Sequence, residues 1–449
     1  MSKHTMDLTT GPVTKKLLLF MLPILATNLL QQFYTAADTA VVGKFASETA
    51  LAAVGSTSHL TSLLLSLFVG LATGANVVCA RYRGARRQEN LRKCMHTSLL
   101  LGLACGLFLG TVGFLLTRPI LVLMGSPENV IDQSTLYVRI FFLGVPASLL
   151  YNFASAILRA HGDTRRPMII LGISGLMNVL LNLLFVIVLR MDVAGVALAT
   201  IISQYFSMVA ALLILFDPKG EFKLNLRELR FDSASVGEIV SIGLPAGINS
   251  SLYGFANVIF QSTVNSFGDV VMAASAASSN VTAFMHIIMG SFSTACVSFT
   301  GQCVGAKKFD RIERMLVCCM VGSVAGLLLF DGVVTLFHRE LLGCFTNNPE
   351  VVSIAMQKLL LNSWGYLPCC ISDPLVGVMR GTGRSAMPTV LNVSGICIAR
   401  LLWIFFIFPL NPTFLMLNIS YPVSWAISTI LQVCYYLRVR KKIKVELAV

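Results

Sequence analysis

The chain has 449 residues, 55% of them hydrophobic and only 12% charged, with a net charge of +13. A soluble chain carries about 25% charged residues, so the composition excludes an ordinary globular domain. The basic excess sits in short loops with no aromatic-rich basic patch, which excludes a nucleic-acid-binding module. Twelve cysteines define no metal or disulfide framework: Cys105, Cys296 and Cys397 fall inside apolar runs, and the pairs Cys318-Cys319 and Cys369-Cys370 lack ligand spacing.

The apolar residues fall in blocks long enough to cross about 30 Å of hydrocarbon. They predict an all-α polytopic membrane protein. A tail over 1–13, with no cleavable leader, precedes spans over 14–41, 51–80, 94–117, 133–158, 168–189 and 194–216. A second set covers 236–265, 272–301, 314–337, 352–379, 389–410 and 413–437, and a basic tail closes the chain over 438–449. The expected layout is therefore twelve transmembrane helices in two lobes, 14–216 and 236–437.

In the first span Pro23 removes one helix hydrogen bond and supplies a place to bend. Beyond it runs QQFYTAADTAVVG, Gln31 to Gly43, with Asp38 among small and apolar neighbours. A carboxylate at that depth costs roughly 2.5–3.5 kcal/mol on insertion scales. It is expected to turn inward, toward a partner or a wet cavity. Asn152 lies on the fourth span. Asn178 and Asn182 share one face of the fifth, being four residues apart. Thr200 and Gln204 follow on the sixth. Carboxylate, amide and hydroxyl oxygens suit a hard cation such as Na⁺, and a desolvated carboxylate could instead take up a proton. Asp38, Asn178, Asn182 and Thr200 are the candidates for ion coupling. Gln31, Tyr34, Asn152, Gln204 and Met177 are the candidates for substrate contact.

The polar stretch 217–235 reads as a cytoplasmic linker, and Ser235 with Glu238 resembles a capping box for the seventh helix. The halves repeat each other: Pro23 answers Pro245, Gly84–Arg87 answers Gly305–Lys308, Pro127-Glu128 answers Pro349-Glu350, Pro146 answers Pro368, and the loop from Arg159 answers that from Arg380. Six spans per half give both halves one orientation, so a pseudo-two-fold axis along the membrane normal is expected. In the second half Phe260 stands where Asp38 stands in the first. Asp331, Asp373 and Arg400 are its isolated ionisable groups. Pro374 is expected to break the helix after Asp373. A charge pair of either acid with Arg400 would make that acid structural. Arg139 and Lys358 are expected to snorkel from the outer ends of their spans.

Most of the 34 lysines and arginines fall in the tails and the even-numbered loops, which puts both termini in the cytoplasm. No metalloprotease, hydrolase or P-loop motif occurs, so neither an enzyme nor an ATP-driven pump is expected. Transport would draw on an ion gradient.

The LP pair followed by Gln31, Tyr34 and DTAVVG, the RxxGDTRRP loop and the NxxxN face of the fifth span together resemble the multidrug and toxic compound extrusion (MATE) family. The resemblance covers essentially the whole chain. It implies a pair of six-helix lobes in a bacterial plasma membrane. It implies export of cationic or amphipathic drugs in exchange for H⁺ or Na⁺, no other cofactor, and a monomer among membrane lipids. The family's ion-binding Asp and Asn carry over to Asp38 and Asn178, and Thr200 fits its hydroxyl member. The family's second Asp is replaced by Asn182, which favours a single-carboxylate proton site over a Na⁺ site. The acid that some members carry on the seventh span has no counterpart between Pro245 and Phe260. Flipping of a lipid-linked oligosaccharide is the second reading; it needs buried cations, and the sequence offers only Arg400 at depth.

Overall fold

The computed structural model describes residues 5–45, 48–123, 128–222, 224–343, 345, 346 and 348–448, and for 39, 40, 42–60, 128, 129 and 448 it describes the backbone alone. Pro127 lies outside the described residues. Every regular element among the described residues is helical. The first half of the chain contains α1 (Val13–Phe45), α2 (Glu48–Gly84), α3 (Gln88–Leu123), α4 (Glu128–Ala160), α5 (Arg165–Asn182) and α6 (Asp192–Leu215). Then come α7 (Ser233–Asn265), α8 (Asp269–Gly305), α9 (Phe309–Gly343), α10 (Pro349–Gly365) and α11 (Leu367–Gly381). The chain closes with α12 (Ala386–Asn392), α13 (Ala399–Leu402) and α14 (Phe414–Ala448). π-Helical turns extend α5 over Leu183–Val188 and flank α13 over Val393–Ile398 and Trp403–Ile407.

Among the described residues, eleven helices are long and apolar enough to cross a membrane. Their outer faces carry large apolar side chains in the open, such as Leu213, Leu336 and Phe406, which a bilayer would solvate and water would not. The tenth predicted span is the exception. It is two helices, and the break falls between Gly365 and Leu367, not at Pro374. Pro374 sits inside α11, where Ser293 of α8 donates to the Asp373 carbonyl at 3.0 Å. The carbonyl that Pro374 leaves without its helix donor is that of Cys370, four residues back, and α11 runs on through the proline. At the real break, Pro368 lacks the N–H that a continuous helix would use. Tyr366 is fixed there by stacking on Trp425 at 4.4 Å and by its hydroxyl against His286 at 2.6 Å.

The structure divides into two compact units. Unit 1 holds 1–7 and 22–247; unit 2 holds 8–21 and 248–449. Unit 1 is built on the seam of α3 and α4, with Leu109, Val138, Phe142, Val145 and Leu149 as its core. Unit 2 centres on Met285, Met289, Leu327, Tyr366, Cys370 and Trp425. The chain changes unit within α1, beside Pro23, and within α7, beside Pro245. The segment 217–235 lies wholly in unit 1. α7 is capped by Asp232, whose carboxylate takes both the amide and the hydroxyl of Ser235 at 2.9 and 2.7 Å. These two bonds hold the Asp232 carboxyl below its ordinary range. The predicted capping box is thus displaced by one carboxylate: Glu238 turns instead to the Tyr82 hydroxyl at 2.9 Å.

The sequence repeat has a backbone signature. Arg86 and Lys307, equivalent residues of GARR and GAKK, both adopt left-handed φ, 56° and 57°. Gly162 and Gly383, in the two R-loops, adopt φ of 87° and 83°. At Gly162 a Cβ would also lie 2.0 Å from the Met6 carbonyl, so only glycine serves there. Beside it, in the loop between α4 and α5, His161 is buried, with Nδ1 2.9 Å from the Ile157 carbonyl and its ring edge-on to Phe222. Burial pushes its imidazole down to about 4. In the unfolded chain it titrates near 6.5. Between these values the unfolded state binds the extra proton, so this contribution is fully present above about pH 6.5 and is lost as pH falls toward 4. Wild-type protein in detergent is expected to lose about 2 kcal/mol from this group between pH 7.5 and 5. His161→Asn should flatten that part of the profile in thermal unfolding; an unchanged slope would contradict the assignment.

Candidate functional site

Asp38, Asn178 and Asn182, three of the four coupling residues expected from the sequence, meet in unit 1, where α1 lies along α5 and α6. The join is made by aromatic-on-glycine packing. The Tyr34 hydroxyl donates to the Gly172 carbonyl at 2.9 Å, and its ring covers Gly175 so closely that a Cβ there would fall 1.7 Å from Cζ. One turn further along α1, Asp38 faces Asn182, whose Nδ2 donates to the carboxylate. The same Nδ2 lies 3.4 Å from Asn178 Oδ1. Asn178 and Asn182 are buried and Asp38 is partly buried. A further turn on, Val41 packs with Val186, Val193 and Val196, joined by Tyr137 and Leu183. These apolar groups close one end of the site. Asn182 is the last α-helical residue before the π turn Leu183–Val188, a local widening often found at functional positions.

The donor set is asymmetric. Asn182 Oδ1 is buried with no hydrogen-bond donor among the described residues. The Thr200 hydroxyl spends its proton on its own helix, at the Val196 carbonyl, 3.0 Å away, which leaves its lone pairs as acceptors. No lysine or arginine pairs with Asp38 among the described residues. The oxygens of Asp38, Asn178 and Asn182 suit a small cation or a proton, and Asp38 is their one formal charge.

The predicted substrate contacts are distributed less evenly. Gln31 is exposed on α1, and Met177 is half-buried on α5. Asn152 bonds the Ser148 carbonyl of its own helix at 2.9 Å, an arrangement that structural packing alone explains. Gln204 lies against Gly144 of α4, its Oε1 2.6 Å from where a Cβ would stand, with no donor to that oxygen among the described residues. Pro23 is buried, and α1 stays helical through it; Thr27 donates to the Pro23 carbonyl at 2.7 Å, a side-chain bond that favours bending. Two contributors were not singled out in the sequence. Tyr137 of α4 stands within electrostatic reach of Asp38, and Gly175 receives Tyr34. The GISG run of α5 was the available signal for Gly175; Tyr137 had none.

Unit 2 corrects several expectations. Arg400 is fully buried and, among the described residues, forms no ion pair. It donates to Asn257 at 2.9 Å and Ser424 at 3.3 Å and lies 4.0 Å from the centroid of Tyr421. Asp373 feels Arg380, two turns along α11, and not Arg400. Lys358 does not snorkel. It is buried and donates to the Ser275 carbonyl and hydroxyl at 3.2 and 2.7 Å and to the Ser279 hydroxyl at 2.9 Å. Ser275 and Ser279 present one face of α8, and that pair of acceptors draws the ammonium inward. Arg139 lies over the Phe114 ring at 5.3 Å. Asp331 is buried beside Ser363.

The Tyr34–Gly175 contact gives a test of the site's packing. Gly175→Ala is expected to dislodge Tyr34 from Gly172 and to destabilise the protein by about 1–3 kcal/mol, the usual cost of overpacking. Adding Tyr34→Ala should recover most of that loss, since the clash is pairwise. Additive losses in thermal unfolding would refute the contact.

Comparison with known proteins bears on the same elements. The chain matches the MatE family over residues 23–184 and 245–405, one match in each half. It is 28% identical over 443 residues to the "Probable multidrug resistance protein YoeA" of Bacillus subtilis (strain 168), covering 96% of this chain and 95% of that one. It is 24% identical to the "Probable multidrug resistance protein NorM" of Thermotoga maritima, over 87% of this chain and 84% of the relative. Among solved structures, an outward-facing multidrug resistance MATE family transporter of the MOP superfamily superposes with a TM-score of 0.89 at 19% identity, over 99% of both chains. A MATE in complex with MaL6 superposes with a TM-score of 0.91 at 19% identity, over 99% of this chain and all of that one. With the family matched separately in both halves and across most of the sequence, this multi-pass membrane protein belongs to the MatE family.

Proposed function

We propose that the protein is a secondary antiporter. It would cross the membrane twelve times with both termini in the cytoplasm, and export cationic or amphipathic drugs in exchange for a cation bound at Asp38. The observation that carries this reading is the Asp38–Asn182 contact: a carboxylate at membrane depth, held by a neutral amide and left without a counter-charge among the described residues. Such a group can exchange a cation, whereas one locked to arginine cannot. The multidrug names of the relatives, YoeA among them, agree with drug export. H⁺ is the preferred coupling ion, because Asn182 leaves the site with one formal charge. The residues also fit Na⁺, which would be bound by the Asp38, Asn178, Asn182 and Thr200 oxygens. In either case the bound cation cancels the Asp38 charge.

Charged Asp38 draws the Asn182 amide and leaves the site open to a cationic drug. Neutralised Asp38 releases that hold, and α1 is free to bend at Pro23, displacing Tyr34 from the α5 face. Unit 2 adds Lys358 to Arg400 as a second buried cation, which is the observation favouring the oligosaccharide flippase. Both cations are already engaged by neutral partners, so that reading stays second. Everted vesicles loaded with a fluorescent cationic dye, under an imposed H⁺ or Na⁺ gradient in turn, test the proposal. Gradient-driven accumulation supports it, and accumulation indifferent to both gradients defeats it.

A further inference from the structure

Unit 2 carries a cavity of about 670 Å³ that the transport reading does not use. It lies at the turn between α8 and α9, where the end of α14 and the segment before α1 meet it. Its charged lining is Lys307, Lys308, Arg311, Arg314 and Lys444 against one acid, Asp310. The neighbouring acids do not neutralise it, because Glu313 pairs with Arg440 and Glu446 with Arg384. The corresponding turn of unit 1 differs. Its cavity of about 480 Å³ mixes Arg92, Lys93 and Arg230 with Glu89, Glu228 and Asp232, and Arg92–Glu228 and Lys93–Glu89 close as ion pairs at 2.7 Å each.

The basic cavity is also built. Arg311 donates to the carbonyls of Leu8, Thr10 and Gly11 at 2.7, 2.6 and 2.7 Å. Lys308 donates to Thr9 at 2.9 Å, and the Leu8 amide donates to Gln302 at 3.0 Å. Leu8 is thereby fully buried, and the segment 8–11 forms a fixed wall. Arg311 is committed to that wall. Arg314 and Lys444 have no acidic partner among the described residues. Lys308 keeps two donors beyond its bond to Thr9. The first turn of α9, a helix of 35 residues, contributes Phe309 and Asp310 to the lining, and first-turn amides have no acceptor within their own helix.

We propose that this cavity binds a phosphoryl anion, presented by the headgroup of an anionic phospholipid or by free phosphate. Fixed positive charge, guanidinium geometry and helix-start amides converge there, and the basic end of a membrane helix bundle is where such headgroups lie. Occupancy would tie the segment leading into α1 to α9 and α14.

The full-length protein in a neutral detergent tests this by native mass spectrometry with phosphatidylglycerol, with phosphatidylcholine and with inorganic phosphate. Phosphatidylglycerol is expected to bind in preference to phosphatidylcholine. Each basic side chain near the surface is worth roughly fivefold, so Arg314→Ala with Lys444→Ala should weaken binding by roughly 25-fold. The charge-keeping pair Arg314→Lys with Lys444→Arg should stay near wild type, which separates charge from folding. Arg92→Ala with Lys93→Ala should change nothing. Dependence seen with phosphatidylglycerol alone assigns a lipid headgroup, and the same dependence with inorganic phosphate assigns the free anion. If neither probe responds to Arg314→Ala with Lys444→Ala, the site does not exist.

Discussion

Asp38→Asn is expected to abolish ion-driven drug accumulation while leaving the protein folded and as stable as before, or more so. Asn keeps the side-chain oxygen that accepts from Asn182 but removes the charge. A charged group at membrane depth costs roughly 2.5–3.5 kcal/mol, so the neutral variant sheds a burden that only function explains. Coupling between two ligands is typically worth about 1–3 kcal/mol, or about 5–150-fold in affinity. Loss of the coupling group should therefore reduce gradient-dependent accumulation by at least about fivefold. Paired measurements decide it: dye accumulation in everted vesicles and melting temperature in detergent. Retained gradient-driven export would remove Asp38 from the mechanism, and a collapse in stability would recast it as structural. Asn182→Asp is the companion variant. It restores a second carboxylate beside the first, and a shift of export from H⁺-driven toward Na⁺-driven is the expected result.

The largest effect on stability should come from glycine, not from charge. α2 carries Gly70 and Gly74, and α7 carries Gly243 and Gly247, each pair four residues apart. In unit 1 these helices meet backbone to backbone. A Cβ on Gly70 would lie 2.2 Å from the Gly247 nitrogen, one on Gly74 2.2 Å from the Ile239 carbonyl oxygen, and one on Gly243 2.6 Å from Leu71 Cα. Small residues spaced in this way let membrane helices approach closely. Here the obstacle to any side chain is main chain, which cannot rotate aside. Gly70→Leu or Gly243→Leu must push the helices apart, at a cost at or above the roughly 1–3 kcal/mol of ordinary overpacking. The expected outcome is loss of the monodisperse peak in detergent gel filtration. Gly237→Ala on the same α7 is the control: its Cβ would meet nothing within 4 Å, so a gain of roughly 0.5–1 kcal/mol from helix propensity is expected. Equal tolerance of all three substitutions would disprove the close approach.

What the sequence discloses, and what it hides, follows from how each signal is generated. Hydropathy marks lengths of chain, so the helices were legible. A lone acid among apolar residues is conspicuous without any structure, which is why Asp38 stood out. Direction is a different matter. Lys358 near the outer end of its span reads as a snorkelling residue, and nothing local says that Ser275 and Ser279, on another helix, wait with acceptors. The helix break was misplaced for a similar reason. Pro374 is the more suspicious proline in the sequence, following an acid. Yet α11 runs on through it, while the break at Tyr366 is fixed by Trp425 and His286, far along the chain. Arg400 satisfied by an amide, a hydroxyl and a ring face was equally invisible, because neutral partners leave no charge pattern to read.

The two crossings of the chain, inside α1 and inside α7, bear on how this protein could be taken apart. A gene cut at the polar segment 217–235 would separate the two repeated halves, but it would not separate two self-sufficient pieces. The upstream fragment would lack 233–247, the stretch of α7 that lines α2, and the downstream fragment would lack 8–21, the strap gripped by Arg311. Each product would carry a vacant slot shaped for the other's leading segment. Co-expressed fragments would therefore have to trade those segments to become whole, and neither alone should survive extraction intact.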